Sequence, residues 1–248
     1  MSSRDLFGDR AEEYARHRPT YPDALFDHLD RLVERHELAW DCGAGSGQTS
    51  RSLAGRFAQV VATDTSMRQL ANANAPARVR FVAAAAEAAP LRDRCADLVT
   101  VSAALHWFDR PRFFAEVRRV ARPGAILAVW SYYQSLIEPA IDAVLTRYAD
   151  QVVGSLWSPG MELNQRAYRG LELPFEPLPW PALEAEGRMR LEDLHQYMLT
   201  WSASQAWLRT RGTDPVDTVR DDLARAWGDP ATPRAVRWPL HGAIARVQ

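Results

Sequence analysis

The chain has 248 residues, 47% of them hydrophobic and 25% charged, with a formal net charge of −1. That length suits one α/β domain with a small cap, and the charge balance offers no electrostatic footing for nucleic acid or an anionic membrane. Every basic side chain is Arg or His, so Schiff-base and lysine general-base chemistry are excluded.

The N-terminus, Met1-Ser2-Ser3-Arg4-Asp5, has no apolar h-region. No apolar run approaches the roughly 20 residues of a membrane span. A cytoplasmic location is expected, and Cys42 and Cys95 show no metal-ligand spacing. Phe7, Ala11, Tyr14 and Ala15 recur at helical spacing, and that pattern stops at Arg18-Pro19. A second helix starts near Pro22-Asp23, with Leu25, Leu29, Leu32 and Val33 on its apolar face.

A short apolar run, Leu38-Ala39-Trp40, then leads into Asp41-Cys42-Gly43-Ala44-Gly45-Ser46-Gly47. An acid at a strand end, glycines at alternate positions and a following helix make a place to hold a small ligand against bare backbone. The acid repels a pyrophosphate and suits a cationic amino group, which favours S-adenosylmethionine (SAM) over a dinucleotide. A dinucleotide fingerprint needs a third Gly where this chain has Gln48. The second strand, Val60 to Thr63, ends at Asp64. A carboxylate there is placed to accept both ribose hydroxyls of an adenosine.

Further along, a helix carries Met67, Leu70 and Ala71, and strands run over Val79–Ala83, Asp97–Val101 and Ala125–Trp130. The helix with Phe113, Phe114, Val117 and Val120 is read as ending at Arg122-Pro123-Gly124. Alternating strands and helices of these lengths predict a parallel, doubly wound sheet. After Tyr132 the pattern loosens into helix and loop, and a further helix carries Leu191, Leu194, Tyr197 and Met198 before Thr200-Trp201-Ser202. The tail, Val236 to Val247, reads as extended and as closing the sheet edge. His17, His28, His36, His195 and His241 have no metal spacing, and no metal site is expected.

By these residues the chain resembles the class I SAM-dependent methyltransferases over about residues 38 to 131. The glycine loop, the Asp64 strand end, Ala86-Glu87 after the third strand and Arg122-Pro123-Gly124 before the fifth all fit. Within them it looks most like the small-molecule group that includes trans-aconitate methyltransferase. Tyr14…Arg18-Pro19…Tyr21-Pro22, Ser102 to Phe108 (Ser-Ala-Ala-Leu-His-Trp-Phe) and Thr200-Trp201-Ser202 carry that likeness. The resemblance implies a Rossmann-like sheet, mostly parallel, with an antiparallel strand at its C-terminal end and a helical cap after the fifth strand. It divides the chain into N-terminal helices over the cofactor (1–36), a SAM-binding core (37–132), a cap (133–205) and a part completing the sheet (206–248).

The resemblance also implies roles. Asp41, Gly43 and Gly45 would line the methionine end of SAM, with Ser102 near its amino-acid moiety. Asp64 would bind the ribose, with Thr65 and Ser66 beside it, Met67 on the adenine face, and Ala86 and Glu87 at the adenine edge. Tyr14 and Arg18 would cover the cofactor, Arg18 pairing its carboxylate. His106, just past the fourth strand, is the candidate base, because its ordinary pKa suits proton transfer. With Trp107, Trp130, Tyr132 and Trp201 it would contact the acceptor; Tyr133 is a further candidate for that wall.

The expected function is methyl transfer from SAM to a small-molecule carboxylate, hydroxyl or ring nitrogen by in-line displacement, leaving S-adenosylhomocysteine (SAH). A catalytically silent SAM-fold protein is the alternative. A nucleic-acid methyltransferase fits less well, since Ser102-Ala103-Ala104-Leu105 stands where a polar Asn/Asp-Pro-Pro-aromatic segment would hold a flipped base. Neither nucleic acid nor membrane is an expected partner, and the chain is expected as a monomer or homodimer.

Overall fold

A computed structural model of the chain describes residues 18–71, 73 and 76–248. The helix read over Phe7 to Ala15, and Tyr14 with it, lies outside them. The first described helix, α1 (Asp23–Leu32), buries Leu25, Phe26 and Leu29 and carries an acid in its first turn. Strand β1 (Leu38–Cys42) follows, then α2 (Gln48–Ala54), β2 (Gln59–Asp64), the short α3 (Met67–Ala71), β3 (Val79–Ala83) and β4 (Ala96–Ser102). A 3₁₀ turn (Leu105–Trp107) leads to α4 (Arg110–Val120) and β5 (Ala121–Ser131).

These five strands are parallel neighbours in the order β3-β2-β1-β4-β5. Strand β9 (His241–Arg246) then pairs antiparallel with β5, and β6 (Glu176–Leu178) pairs antiparallel with β9. The result is a mostly parallel seven-stranded Rossmann-like sheet. The tail does not close its edge as the sequence reading has it. Strand β9 lies one place in, and the edge is β6, a three-residue strand containing Pro177. A proline on a short edge strand blunts its pairing potential. The other half of the tail, β8 (Arg234–Pro239), leaves the sheet to pair antiparallel with β7 (Glu184–Met189).

Period-2 alternation sends neighbouring strand residues to opposite faces. Ala39, Val60, Leu98, Ile126 and Ala128 join one core with α1, α2 and the cap. Trp40, Val99, Val101, Leu127 and Val129 join a second core with α4. Trp40 is fully buried, and its indole N–H donates to Thr63 Oγ1 at 2.9 Å. Helix α4 is capped by Asp109, whose carboxylate accepts the Arg112 N–H, and buries Phe113, Phe114, Val117 and Val120. It ends at Val120, earlier than the sequence reading has it, because the chain at Ala121 is already extended. Arg122 then reaches back to the buried Asp97 at 2.9 Å, and the second Asp97 oxygen accepts the Glu37 and Leu38 N–H groups at the mouth of β1.

The cap opens with α5 (Pro139–Arg147), a π-helical turn (Tyr148–Val152) and the single-turn α6 (Glu162–Gln165). It continues through β7, α7 (Leu191–Leu199), α8 (Ser202–Arg211), α9 (Arg220–Trp227) and β8. Among the described residues no helix is long and apolar enough to cross a membrane.

Candidate active site

The C-terminal ends of β1, β2, β4 and β5 open under the cap, where ligands bind in open α/β sheets. The glycine loop sits at the end of β1. Gly43 has φ +69°, and its N–H and that of Ala44 donate to Thr63 O at 2.8 and 3.0 Å. A Cβ there would stand 2.6 Å from the Ala104 Cβ, so only bare backbone fits between the loop and the chain leaving β4.

Asp64 at the end of β2 braces this loop. Its Oδ2 accepts the Gly45 N–H at 2.9 Å and its Oδ1 the Ser66 N–H at 2.8 Å. A carboxylate has about four lone-pair sites, so each oxygen keeps capacity on the cavity side. Thr65, Ser66, Ala86, Glu87 and Ser102 all line the same space. Glu87 Oε1 accepts the Asp109 N–H at 2.9 Å, and Ser102 Oγ accepts the Thr49 hydroxyl at 3.0 Å. Met67 is 66% exposed and does not line the cavity.

That corrects the expected place of Met67 on the adenine face, and two further sequence expectations are corrected here. Asp41 does not line the cavity. It is fully buried at the foot of the loop, where its oxygens accept the Ser50 hydroxyl at 2.5 Å and the Thr100 hydroxyl at 2.9 Å. Burial raises its pKa to about 6, against the lowering effect of the two hydroxyls. Trp130 is also absent from the cavity wall. It still lies inside β5, facing the core, edge-on to Tyr21 (5.6 Å) and Phe26 (6.4 Å). Tyr132, two residues on and past the strand, does line the cavity, as does Tyr133.

The cap end gathers residues from distant segments. Arg18 donates to the Tyr132 hydroxyl at 3.1 Å and to the Thr200 carbonyl at 3.0 Å, and its guanidinium lies 5.5 Å from the Tyr197 ring. Trp201 packs edge-on to Tyr197 (5.9 Å) and tilted on Trp157 (5.9 Å). His106 and Trp107 line the same space, their rings 4.8 Å apart. Burial, with the Arg18 charge as a smaller cause, lowers the His106 pKa to about 4, so its imidazole is neutral at pH 7. Its Nδ1 is buried without a hydrogen-bond partner among the described residues.

Trp157, Tyr197 and Asp142 of this wall carried no signal as site residues in the sequence, because each is one side chain from a separate cap element. Gly160, packed against the His106 backbone, also carried no signal. A Cβ on it would overlap the His106 carbonyl oxygen, so a glycine is what lets the cap lie flat on the His106 turn. The Trp157-Ser158-Pro159-Gly160 run is the one local hint, since Pro-Gly marks a tight turn.

Both ends belong to a single cavity of ≈ 490 Å³, polar along the glycine loop and ringed by aromatics beneath the cap. That is ample for a nucleoside-sized ligand with a second small molecule beside it. Among the described residues no group of three or more His, Cys, Asp or Glu is placed to hold a metal ion.

Comparison with known proteins agrees with this architecture. The family model described as a methyltransferase domain matches residues 40–129. A Dictyostelium discoideum protein named as a methyltransferase is 30% identical over 227 residues, which span 90% of this chain and 86% of that protein. A Mycobacterium tuberculosis protein, named as an uncharacterized methyltransferase, is 39% identical over 136 residues, 52% of this chain and 55% of its own. The structure of an Anaeromyxobacter dehalogenans protein described as a type II methyltransferase is 39% identical, with a TM-score of 0.84 over 93% of this chain and 98% of that one. With this sheet order and glycine loop, these matches mean that the chain belongs to the class I SAM-dependent methyltransferases.

Proposed function

We propose that the chain transfers a methyl group from SAM to a small-molecule acceptor. The observation that carries this reading is the continuity of the cavity, whose polar lobe suits a nucleoside and whose aromatic lobe suits an acceptor. The residues present fit the cofactor. Asp64 keeps acceptor capacity toward the cavity after bracing the loop, which suits two ribose hydroxyls. Of the residues lining the polar lobe, Glu87 and Ala86 would take the adenine edge, and Gly43 and Gly45 would present backbone to the methionine end. Arg18 would supply the cation for the cofactor carboxylate, and Ser102 would lie beside the amino-acid portion.

When bound, SAM supplies a methyl group already activated on a sulfonium for in-line displacement, so what remains for the protein is positioning and exclusion of water. The cap supplies both, with Trp201, Trp157 and Tyr132 walling the acceptor lobe. His106, neutral at pH 7, can accept a proton from an acceptor O–H or N–H.

A calorimetric titration with SAH, run beside one with NAD, tests this. Micromolar SAH binding without an NAD response is the expected result. Absence of SAH binding would mean that the glycine loop holds something else.

A further inference from the structure

The charges and rings at the cap end bear on the acceptor itself, granted the methyltransferase reading of the cavity. The wall there is a run of aromatic side chains. Tyr197, Trp201 and Trp157 follow one another at 5.9 Å spacings, and Tyr132 continues the wall past Arg18. Offset and edge-on aromatic surfaces of this kind reward a planar ring.

Among the described residues lining that end, the acidic and basic side chains beside the neutral His106 are Asp142 and Arg18, one of each kind. Arg18 already donates to the Tyr132 hydroxyl and the Thr200 carbonyl. Asp142, from α5, has one oxygen accepting the Ile137 N–H at 2.9 Å and would repel an anion. Arg166, Arg169 and Arg209 lie in or beside the cap and would be the natural partners of a polycarboxylate, yet none of them lines the cavity. What the lobe does offer is neutral. Ser135, Ser202 and His106 each line it and carry a buried polar atom with no partner among the described residues. A carboxylate brought here would lose its hydration and find no net positive charge among the described residues to replace it.

We infer that the methyl acceptor is an uncharged molecule built on an aromatic ring bearing a hydroxyl, and not a carboxylate. A matched pair of probes isolates the charge: 2-naphthol and 2-naphthoate share one ring system and differ in ionisation at pH 7. Each is titrated into the full chain saturated with SAH, and citrate is titrated as a polyanion.

The naphthol is expected to bind at least about tenfold more tightly than the naphthoate, with no binding of citrate. Trp157→Leu is expected to weaken naphthol binding about two- to tenfold and leave SAH affinity unchanged. Equal or tighter binding of naphthoate, any citrate binding, or no naphthol binding would overturn the inference, as would a Trp157→Leu protein that holds SAH and naphthol like wild type. The charge comparison uses wild-type protein, so it stands even where the variant folds poorly. If SAH itself fails to bind, the methyltransferase reading falls and this inference with it. If SAH binds and the naphthol comparison fails, the acceptor class alone is wrong.

Discussion

Asp41→Asn separates a carboxylate that touches the cofactor from one that braces the loop beneath it. In the structure Asp41 is wholly buried, holds the Ser50 and Thr100 hydroxyls, and has its pKa raised from 3.8 to about 6, chiefly by burial. A raised carboxylate pKa means that the folded state takes up the proton more readily than the unfolded chain. Stability therefore falls as pH rises from about 4 to about 6, and the full cost of ionising this group in the fold is about 3 kcal/mol. Asparagine has nearly the same shape and no charge, and both hydroxyls can turn to meet an amide. Urea unfolding of both proteins should show the variant gaining about 2 kcal/mol on wild type between pH 4.5 and 7.5, with SAH affinity changed less than about threefold (~0.6 kcal/mol). A stability difference that does not move with pH, or one that moves against the variant, would refute the buried-charge argument. A loss of SAH affinity beyond about thirtyfold (~2 kcal/mol) would show the carboxylate contacting the cofactor.

Asp64→Ala removes the acceptor toward the ribose and two loop bonds, and SAH affinity should fall at least about 100-fold in calorimetry while the cooperative melt survives; unchanged affinity would sink the ribose assignment. His106 carries the opposite pH signature. Its pKa is lowered to about 4, so its stabilising effect is full above about 6.5 and is lost as pH falls toward 4. Wild type should lose up to about 3 kcal/mol more than His106→Gln over that window in unfolding titrations, and parallel pH profiles would mean that the ring is hydrated. Gly160→Ala forces a methyl onto the His106 carbonyl, whereas Gly55→Ala meets nothing within 4 Å. The first should cost about 2–4 kcal/mol and the second less than about 1 kcal/mol in urea unfolding.

The half of the cavity at the strand ends was largely legible in the sequence, and the half beneath the cap only in part: His106, Trp107, Tyr132 and Trp201 line it as expected, whereas Trp157, Tyr197 and Asp142 gave no signal. The glycine loop, Asp64, Glu87 and Ser102 sit at the ends of consecutive βαβ units, so hydrophobic periodicity alone brings them to one edge of the sheet. Even there, orientation was hidden. A strand-end acid can point up into the cavity or down into the core, and Asp41 points down because Ser50 and Thr100, 9 and 59 residues away, present hydroxyls to it. Trp130 and Tyr132 have the same strand parity, and only the end of β5 at Ser131 separates a core indole from a cavity phenol. Strand β6, three residues with a proline, shows no periodicity at all. The lobe beneath the cap takes Arg18, His106, Asp142, Trp157 and the Tyr197–Trp201 stretch from five segments whose meeting is purely tertiary. Of these only His106 falls within residues 40–129, where the family match lies. The periodicity of the sheet thus sets the half of the cavity at the strand ends, whereas the half beneath the cap depends on single side chains from elements far apart in the chain.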